Sequence, residues 1–314
     1  MRIVLARVGA ALIVAAALAG GVLAANATVF SASAFVRGYL AAVAAGHVDE
    51  VLALPGVNTQ GLDPRLLDAR AYSGLDTEVL ADEVRDGVHH VRVGIDDSGT
   101  REELVFEVEQ RGTRFGLFPR WGFAVSPVTA LEVTTTGDAR FRAGELPLAA
   151  AAGGPVVFAA ITPARYVLGH ESAFLTAEPV EVVTTGADRG VRLDIRPNAA
   201  FVAAVRAAVE SELDACAEQR VLFPTGCPFG FAIANRVASE PRWTITELAD
   251  AEVAPGDRVG VWTVPAVEGV ARLQVEVQSL FDGTVSTLEE DVPFTAGYDI
   301  AFEGSSVALS PIAP

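Results

Sequence analysis

The chain contains no lysine. Without a side-chain primary amine it cannot form a Schiff base, end a phosphate-cradling Gly-rich loop with Lys-Ser/Thr, or supply a Ser-x-x-Lys nucleophile pair. Methionine is confined to Met1, and the four histidines are His47, His89, His90 and His170. His170-Glu171 lacks the second histidine of a helical zinc-protease motif. Gly-x-Ser-x-Gly and Gly-x-Gly-x-x-Gly are absent as well. These gaps predict a protein that is not an enzyme, with no catalytic residue, no cofactor and no metal site.

Positive charge is scarce. Against 40 acidic side chains stand 23 basic ones, all arginine, for a formal net charge of -17. A nucleic-acid binder presents a basic stripe. Here the arginines read as scattered among carboxylates, and nucleic acid is not an expected partner.

Cysteine is nearly absent too. Cys216 and Cys227 are the only two, and in an exported protein such a pair most simply forms a disulfide. Closing a loop of about ten to fifteen residues stabilises a fold by roughly 3 kcal/mol in the chain-entropy account. Two reduced buried thiols, or a redox or metal site, are the competing readings.

What the sequence does have is an uncharged opening. Val8 to Ala25 (VGAALIVAAALAGGVLAA) is apolar, and no charge follows until Arg37. A span of about 20 apolar residues fits a hydrocarbon core, and Arg2 and Arg7 before it keep the N-terminus in the cytoplasm. This predicts a single-pass cell-membrane protein with an extracytoplasmic body, held by its N-terminal helix. Ala25-Asn26-Ala27 also fits a signal-peptide cleavage site, so secretion after cleavage is the alternative.

The rest of the 314 residues suffices for two or three domains. Ser31 and Ser33 offer caps for a helix carrying Val36, Tyr39, Leu40 and Val43, and a second helix spans Val48 to Leu54. Asn58 to Tyr72 is polar and is expected to wrap the sheet that follows it. Alternation predicts strands from Val88 to Ile95, around Leu104 to Val108, and from Phe115 to Val125. His89 and His90 then point to opposite faces and cannot share a metal.

Short β segments from Val128 to about Arg196 predict a small β-sandwich. A helix begins at Pro197-Asn198, with Phe201, Val205, Ala208, Val209, Leu213 and Cys216 along one stripe. Strands follow at 243–248, 259–265, 271–281, 284–294, 298–302 and 306–309, with a hairpin around Phe281-Asp282-Gly283. Glu289-Glu290-Asp291 reads as a solvated edge rather than a cation site.

The phrase FVRGYLAAVAAGHVDEVLAL resembles the first helices of the cystatin-like, or nuclear-transport-factor-two-like, cone fold, and FPRWGFAV resembles its closing strand. LDACAEQ, FPTGCPFG and WTIT resemble a second, divergent copy that bears the disulfide. VVFAAITPARYVL resembles a PEGA-like or prealbumin-like β module, with Pro163-Ala164-Arg165-Tyr166 in place of the usual Pro-Gly-x-Tyr. Together these stretches resemble uncharacterised membrane-anchored envelope proteins of actinobacteria, over nearly the whole chain. The resemblance implies an α+β fold: a leader at 1–27, a cystatin-like domain at 28–127, a β-sandwich at 128–196 and a second α+β domain at 197–314.

Cone-fold enzymes pair a carboxylate with a histidine inside the cone, which makes His89, Asp76 and Asp82 the candidate pocket residues. The expected function is a non-catalytic envelope protein that contacts protein partners or cell wall. A small-molecule-binding or hydrolytic cone with an apolar pocket of about 300 Å³ or more is one alternative, and an accessory subunit of cell-wall synthesis is another.

Overall fold

The computed structural model describes residues 2–59, 61–97, 99–150, 154–303 and 306–312. It is a mixed α+β protein with four α-helices and mostly antiparallel sheets among these residues. The helices are α1 (Arg2–Ala27), α2 (Ala32–Ala44), α3 (Val48–Leu52) and α4 (Ala199–Ala217). The chain divides into two compact units, one made of residues 1–134, 140–169 and 179–193 and the other of 135–139, 170–178 and 194–314.

In the first unit, α2 starts where the Ser31 side chain accepts the Ala34 N–H at 3.1 Å, satisfying one of the otherwise orphaned first-turn donors. Its buried residues Val36, Tyr39, Leu40 and Val43 recur at helical spacing and form one face. After β1 (Tyr72–Ser73), the strands β2 (Asp76–Arg85), β3 (Val88–Asp97), β4 (Thr100–Arg114) and β5 (Phe118–Phe123) form a four-stranded antiparallel meander. α2 packs on it. Tyr39 contacts Phe106 and Phe123 edge-on, with ring centroids at 5.5 and 5.0 Å, and Phe35 lies 5.0 Å from Phe123. With Val91, Val93, Ile95 and Val108 also buried, the space between helix and sheet is filled by side chains.

Two further sheets, lying mainly in this unit, form a β-sandwich. One holds β6 (Val128–Thr136), β9 (Val156–Ile161) and β12 (Arg189–Asp194); the other is six-stranded, with β7 (Arg140–Ala143), β8 (Leu146–Ala149), β10 (Ala164–Glu171) and β11 (Leu175–Thr184) joined by the short β1 and β13 (Arg196–Pro197). Phe141 on β7 meets Phe158 on β9 at 6.0 Å, and Leu131, Ile161, Tyr166 and Leu168 are fully buried between the sheets.

The expectation for Asn58 to Tyr72 is corrected here. The segment does not wrap the α2 meander. It runs along the sandwich: the Asp63 N–H donates to the Val157 carbonyl and the Ala159 N–H to the Asp63 carbonyl. Tyr72 then pairs with Tyr166. The sandwich supplies open backbone donors and acceptors, and a polar, turn-rich segment satisfies them.

In the second unit, β13 (Arg196–Pro197) precedes α4, whose N-cap Asn198 accepts the Phe201 N–H at 3.0 Å. Phe201, Val205, Val209, Leu213 and Cys216 are buried, matching the stripe read from sequence. The sheet comprises β14 (Arg236–Val237), β15 (Arg242–Leu248), β16 (Ala254–Pro255), β17 (Trp262–Gln278), β18 (Val285–Glu303) and β19 (Ser306–Pro311). α4 packs against β15 and β19.

The separate strands expected at 259–265 and 271–281 are one strand, β17, and those at 284–294 and 298–302 are one strand, β18. The pairing survives Pro265 because a bulge between Val264 and Val267 absorbs it, which is how a proline is tolerated inside a ladder. The sheet curls into a half-barrel. At Gly269 an added Cβ would lie 2.4 Å from the Phe294 ring and 2.8 Å from the Glu247 carbonyl oxygen, so only glycine permits that close crossing.

Cys216, in the last turn of α4, is bonded to Cys227, eleven residues on, and among the described residues no cysteine is free. In the acidic cluster, Asp291 takes two hydrogen bonds from Arg272 at 2.7 and 2.9 Å, and Glu289 one from Gln274 at 2.9 Å. Cross-strand pairs of this kind stabilise an exposed ladder.

Candidate functional site

At one end of the α2 meander the strands bring three chemically capable side chains together. Asp82 on β2 faces Val91, and Val84 faces His89, so Asp82 and His89 are diagonal neighbours on the same face. His89 Nδ1 lies 2.7 Å from Asp82 Oδ1. The Ser33 hydroxyl, from the first turn of α2, donates to Asp82 Oδ2 at 2.9 Å. Trp121 on β5 stands edge-on to the His89 ring at 4.7 Å, and its indole N–H donates to the Phe30 carbonyl at 2.8 Å.

Both ionisable side chains of this cluster are about one quarter exposed. Asp76 is not part of it. It sits at the other end of β2, opposite Asp96, six residues and about 20 Å from Asp82 along the strand. There it lines an open groove of about 150 Å³ with Glu78, Gly94 and Arg101.

The hydrogen-bond order defines the chemistry. Ser33 donates to one oxygen of the Asp82 carboxylate while the His89 imidazole lies on the other, so serine and histidine meet through the carboxylate rather than directly, unlike a Ser–His nucleophile pair. Asp82 is engaged by both partners and orients the His89 ring against Trp121. The arrangement is a clasp between the start of α2 and strands β2, β3 and β5.

His90 is on the opposite face, and His170 bonds Ser172 at 3.1 Å. Among the described residues no group of three or more His, Cys, Asp or Glu side chains could hold a metal ion.

Grooves elsewhere are open to solvent and lined mainly by polar groups. One of about 480 Å³ runs along Gly46–Glu50 and Leu67–Ala69. Another of about 460 Å³ is bordered by Ser239, Glu240, Arg242, Gln274, Glu276 and Thr287.

Burial dominates the electrostatics of the tyrosines. Tyr39 donates its hydroxyl to the Thr162 carbonyl, and the Ile161 N–H donates to the Tyr166 hydroxyl at 2.9 Å. Desolvation pushes both phenols well above their ordinary range, since the buried site disfavours the charged form.

Two further surface features flank the cluster. α1 is helical from Arg2 to Ala27, and Leu12, Ile13, Leu18 and Leu23 are each about two-thirds exposed or more. Among the described residues no single helix is long and apolar enough to cross a membrane; Ala15–Ala27 and Ala32–Ala44, bent by 45°, meet that test only as a pair. The second member of that pair is α2, whose apolar face is already committed to the meander.

The other feature is the β4–β5 hairpin, where Arg111, Arg114 and Arg120 occur between Gln110 and Gly122 without a carboxylate. This local run stands out against arginines that are otherwise scattered among carboxylates. Counting charge in short windows finds it.

No protein-family model, curated protein or solved structure matches the chain.

Proposed function

We propose that the chain is a membrane-anchored extracytoplasmic envelope protein whose body is a non-catalytic scaffold for contact with proteins or cell wall. The observation that carries this reading is α1. A helix apolar on all sides is stable where its whole surface leaves water, yet its described leucines and isoleucine remain exposed. By helical rise its 26 residues extend about 39 Å at 1.5 Å per residue, against the roughly 30 Å of a hydrocarbon core, whereas the segment Ala15–Ala27 taken alone is too short to span it and meets that measure only together with α2.

Retention of the leader is supported by Asn26, whose side-chain amide donates to the Leu117 carbonyl at 3.0 Å. Residues 25–27 lie in the last turn of α1, with Asn26 bonded to the body. The Cys216–Cys227 bond suits an oxidising compartment. The pattern of one helix followed by an antiparallel meander, seen at α2–β5 and again from α4 to β19, supports two cystatin-like domains around a β module. The actinobacterial envelope family named above is proposed on the same ground.

The filled interior beneath α2 favours a scaffold over a ligand pocket. The Asp82–His89 pair beside Trp121 favours the second reading, a cone whose mouth binds a small polar ligand.

Alkaline extraction of membranes from cells making the full chain, with protease added to intact cells, tests the proposal. The anchored reading expects the protein in the extracted membrane pellet and its body digested from outside. A chain released by alkali, or protected from protease until lysis, would sink it.

A further inference from the structure

The β4–β5 hairpin overhangs its sheet. β3 pairs with β4 only as far as His89 opposite Val108, whereas β5 follows β4 to Phe118 opposite Arg114. The ribbon therefore extends about five residues, some 17 Å, beyond its neighbour. It points toward the end of α1: Asn26 bonds Leu117, and Phe30 lies 4.4 Å from Phe118.

At its tip Phe115 is 82% exposed and Leu117 55%. Phe115 adopts a φ of +57°, a left-handed conformation that is unfavourable for an aromatic residue. The Arg114 guanidinium lies 5.5 Å from its centroid. The overhanging stretch from Gln110 to Gly122 carries Arg111, Arg114 and Arg120 and no acid, in a chain of net charge -17; Arg111 is paired with Glu109 of β4 at 2.8 Å, so Arg114 and Arg120 are the cations of the tip.

Exposed aromatic and aliphatic groups ringed by arginine are the chemistry of the lipid–water interface, where rings sit among headgroups and cations meet phosphate. We propose that the β4–β5 hairpin is a second membrane contact, with Phe115 and Leu117 in the headgroup–acyl boundary and Arg114 and Arg120 on phosphates of anionic lipids. The inference rests on α1 being the membrane anchor. Anchor and hairpin would grip the bilayer at two points, and the Asp82–His89 end of the meander would face the membrane.

The test uses the full chain in vesicles of phosphatidylcholine, with and without phosphatidylglycerol, containing lipids spin-labelled near the headgroup to read position 113 and, in a second set, near the end of the acyl chain to read position 18. Both native cysteines are bonded to each other, so an introduced cysteine is the sole reactive thiol. An environment-sensitive dye is placed at Thr113→Cys beside the tip, at Leu18→Cys in α1, and at Glu102→Cys at the opposite end of the sheet.

The proposal expects quenching at positions 18 and 113 of about twofold or more, and none at 102. Phe115→Ser with Leu117→Ser abolishes it at 113, and Arg114→Gln with Arg120→Gln removes the part that phosphatidylglycerol adds. Quenching at 18 with position 113 as dark to lipid as 102 overturns the hairpin contact and leaves the anchor standing. No quenching at 18 overturns both. Quenching at 113 that is indifferent to all four substitutions also overturns the proposal.

Discussion

Tyr39 and Thr162, 123 positions apart in sequence, are joined by a buried hydrogen bond from the tyrosine hydroxyl to the threonine carbonyl. The bond links α2 to the β9–β10 corner, so the helix-and-meander half of the first unit and its sandwich share one buried polar contact.

Removing that hydroxyl leaves a buried carbonyl without its donor. Tyr39→Phe is expected to cost about 1–3 kcal/mol with no change in shape. Denaturant unfolding should show a lower midpoint at unchanged slope, whereas an unaltered midpoint would mean that the contact carries no stability.

All four tyrosines, Tyr39, Tyr72, Tyr166 and Tyr298, have phenols raised by burial. A raised folded value means stability that is fully present below the unfolded value of about 10 and is lost as pH rises through the folded values. Absorbance at 295 nm should therefore show less tyrosinate near pH 10 in the folded protein than in the unfolded chain. At higher pH, ionisation of Tyr39 and Tyr166 should coincide with loss of the circular-dichroism signal.

Cutting the clasp in the second unit should cost more. Replacing Cys216 and Cys227 by Ala and Ser removes the constraint on an eleven-residue separation, an expected loss of about 3 kcal/mol. Thermal unfolding of the oxidised protein, the reduced protein and the double variant checks it. The last two should agree.

Gly269→Ala places a methyl 2.4 Å from the Phe294 ring and 2.8 Å from the Glu247 carbonyl oxygen. Overpacking of this kind costs about 1–3 kcal/mol. The partner variant Phe294→Leu should recover part of that loss, because it withdraws the ring that the methyl meets. Absence of any rescue would place the strain at the backbone of β15.

Sequence patterning reached the elements whose signal is local. The α4 stripe, β15 and the α2 face are legible because one buried side recurs at a fixed period. β2 is not legible as a strand, since Asp76–Arg85 is an acidic, mostly exposed edge with no apolar alternation to detect. The attachment of residues 58–73 to the sandwich depends on backbone groups of β9 and β10, which no side-chain pattern reports. In β17 and β18, Pro265 and Gly297 look like breaks, and only cross-strand pairing shows that a bulge carries the ladder past them.

At the candidate site, His89 and Asp82 could be named but not brought together. Their meeting depends on β2 being a strand in one register, and the same register sets Asp76 opposite Asp96 at the far end of the strand. Ser33 was visible only as a cap, because its bond to Asp82 spans 49 positions.

The central claim, a retained anchor carrying an oxidised body, is tested most directly by the intact mass of the protein in the membrane fraction, measured before and after reduction. The account predicts a chain that keeps residues 1–27 and gains the two hydrogens of a dithiol only once reductant is added. A soluble chain beginning just after Ala27, or one whose thiols react before reduction, would contradict it.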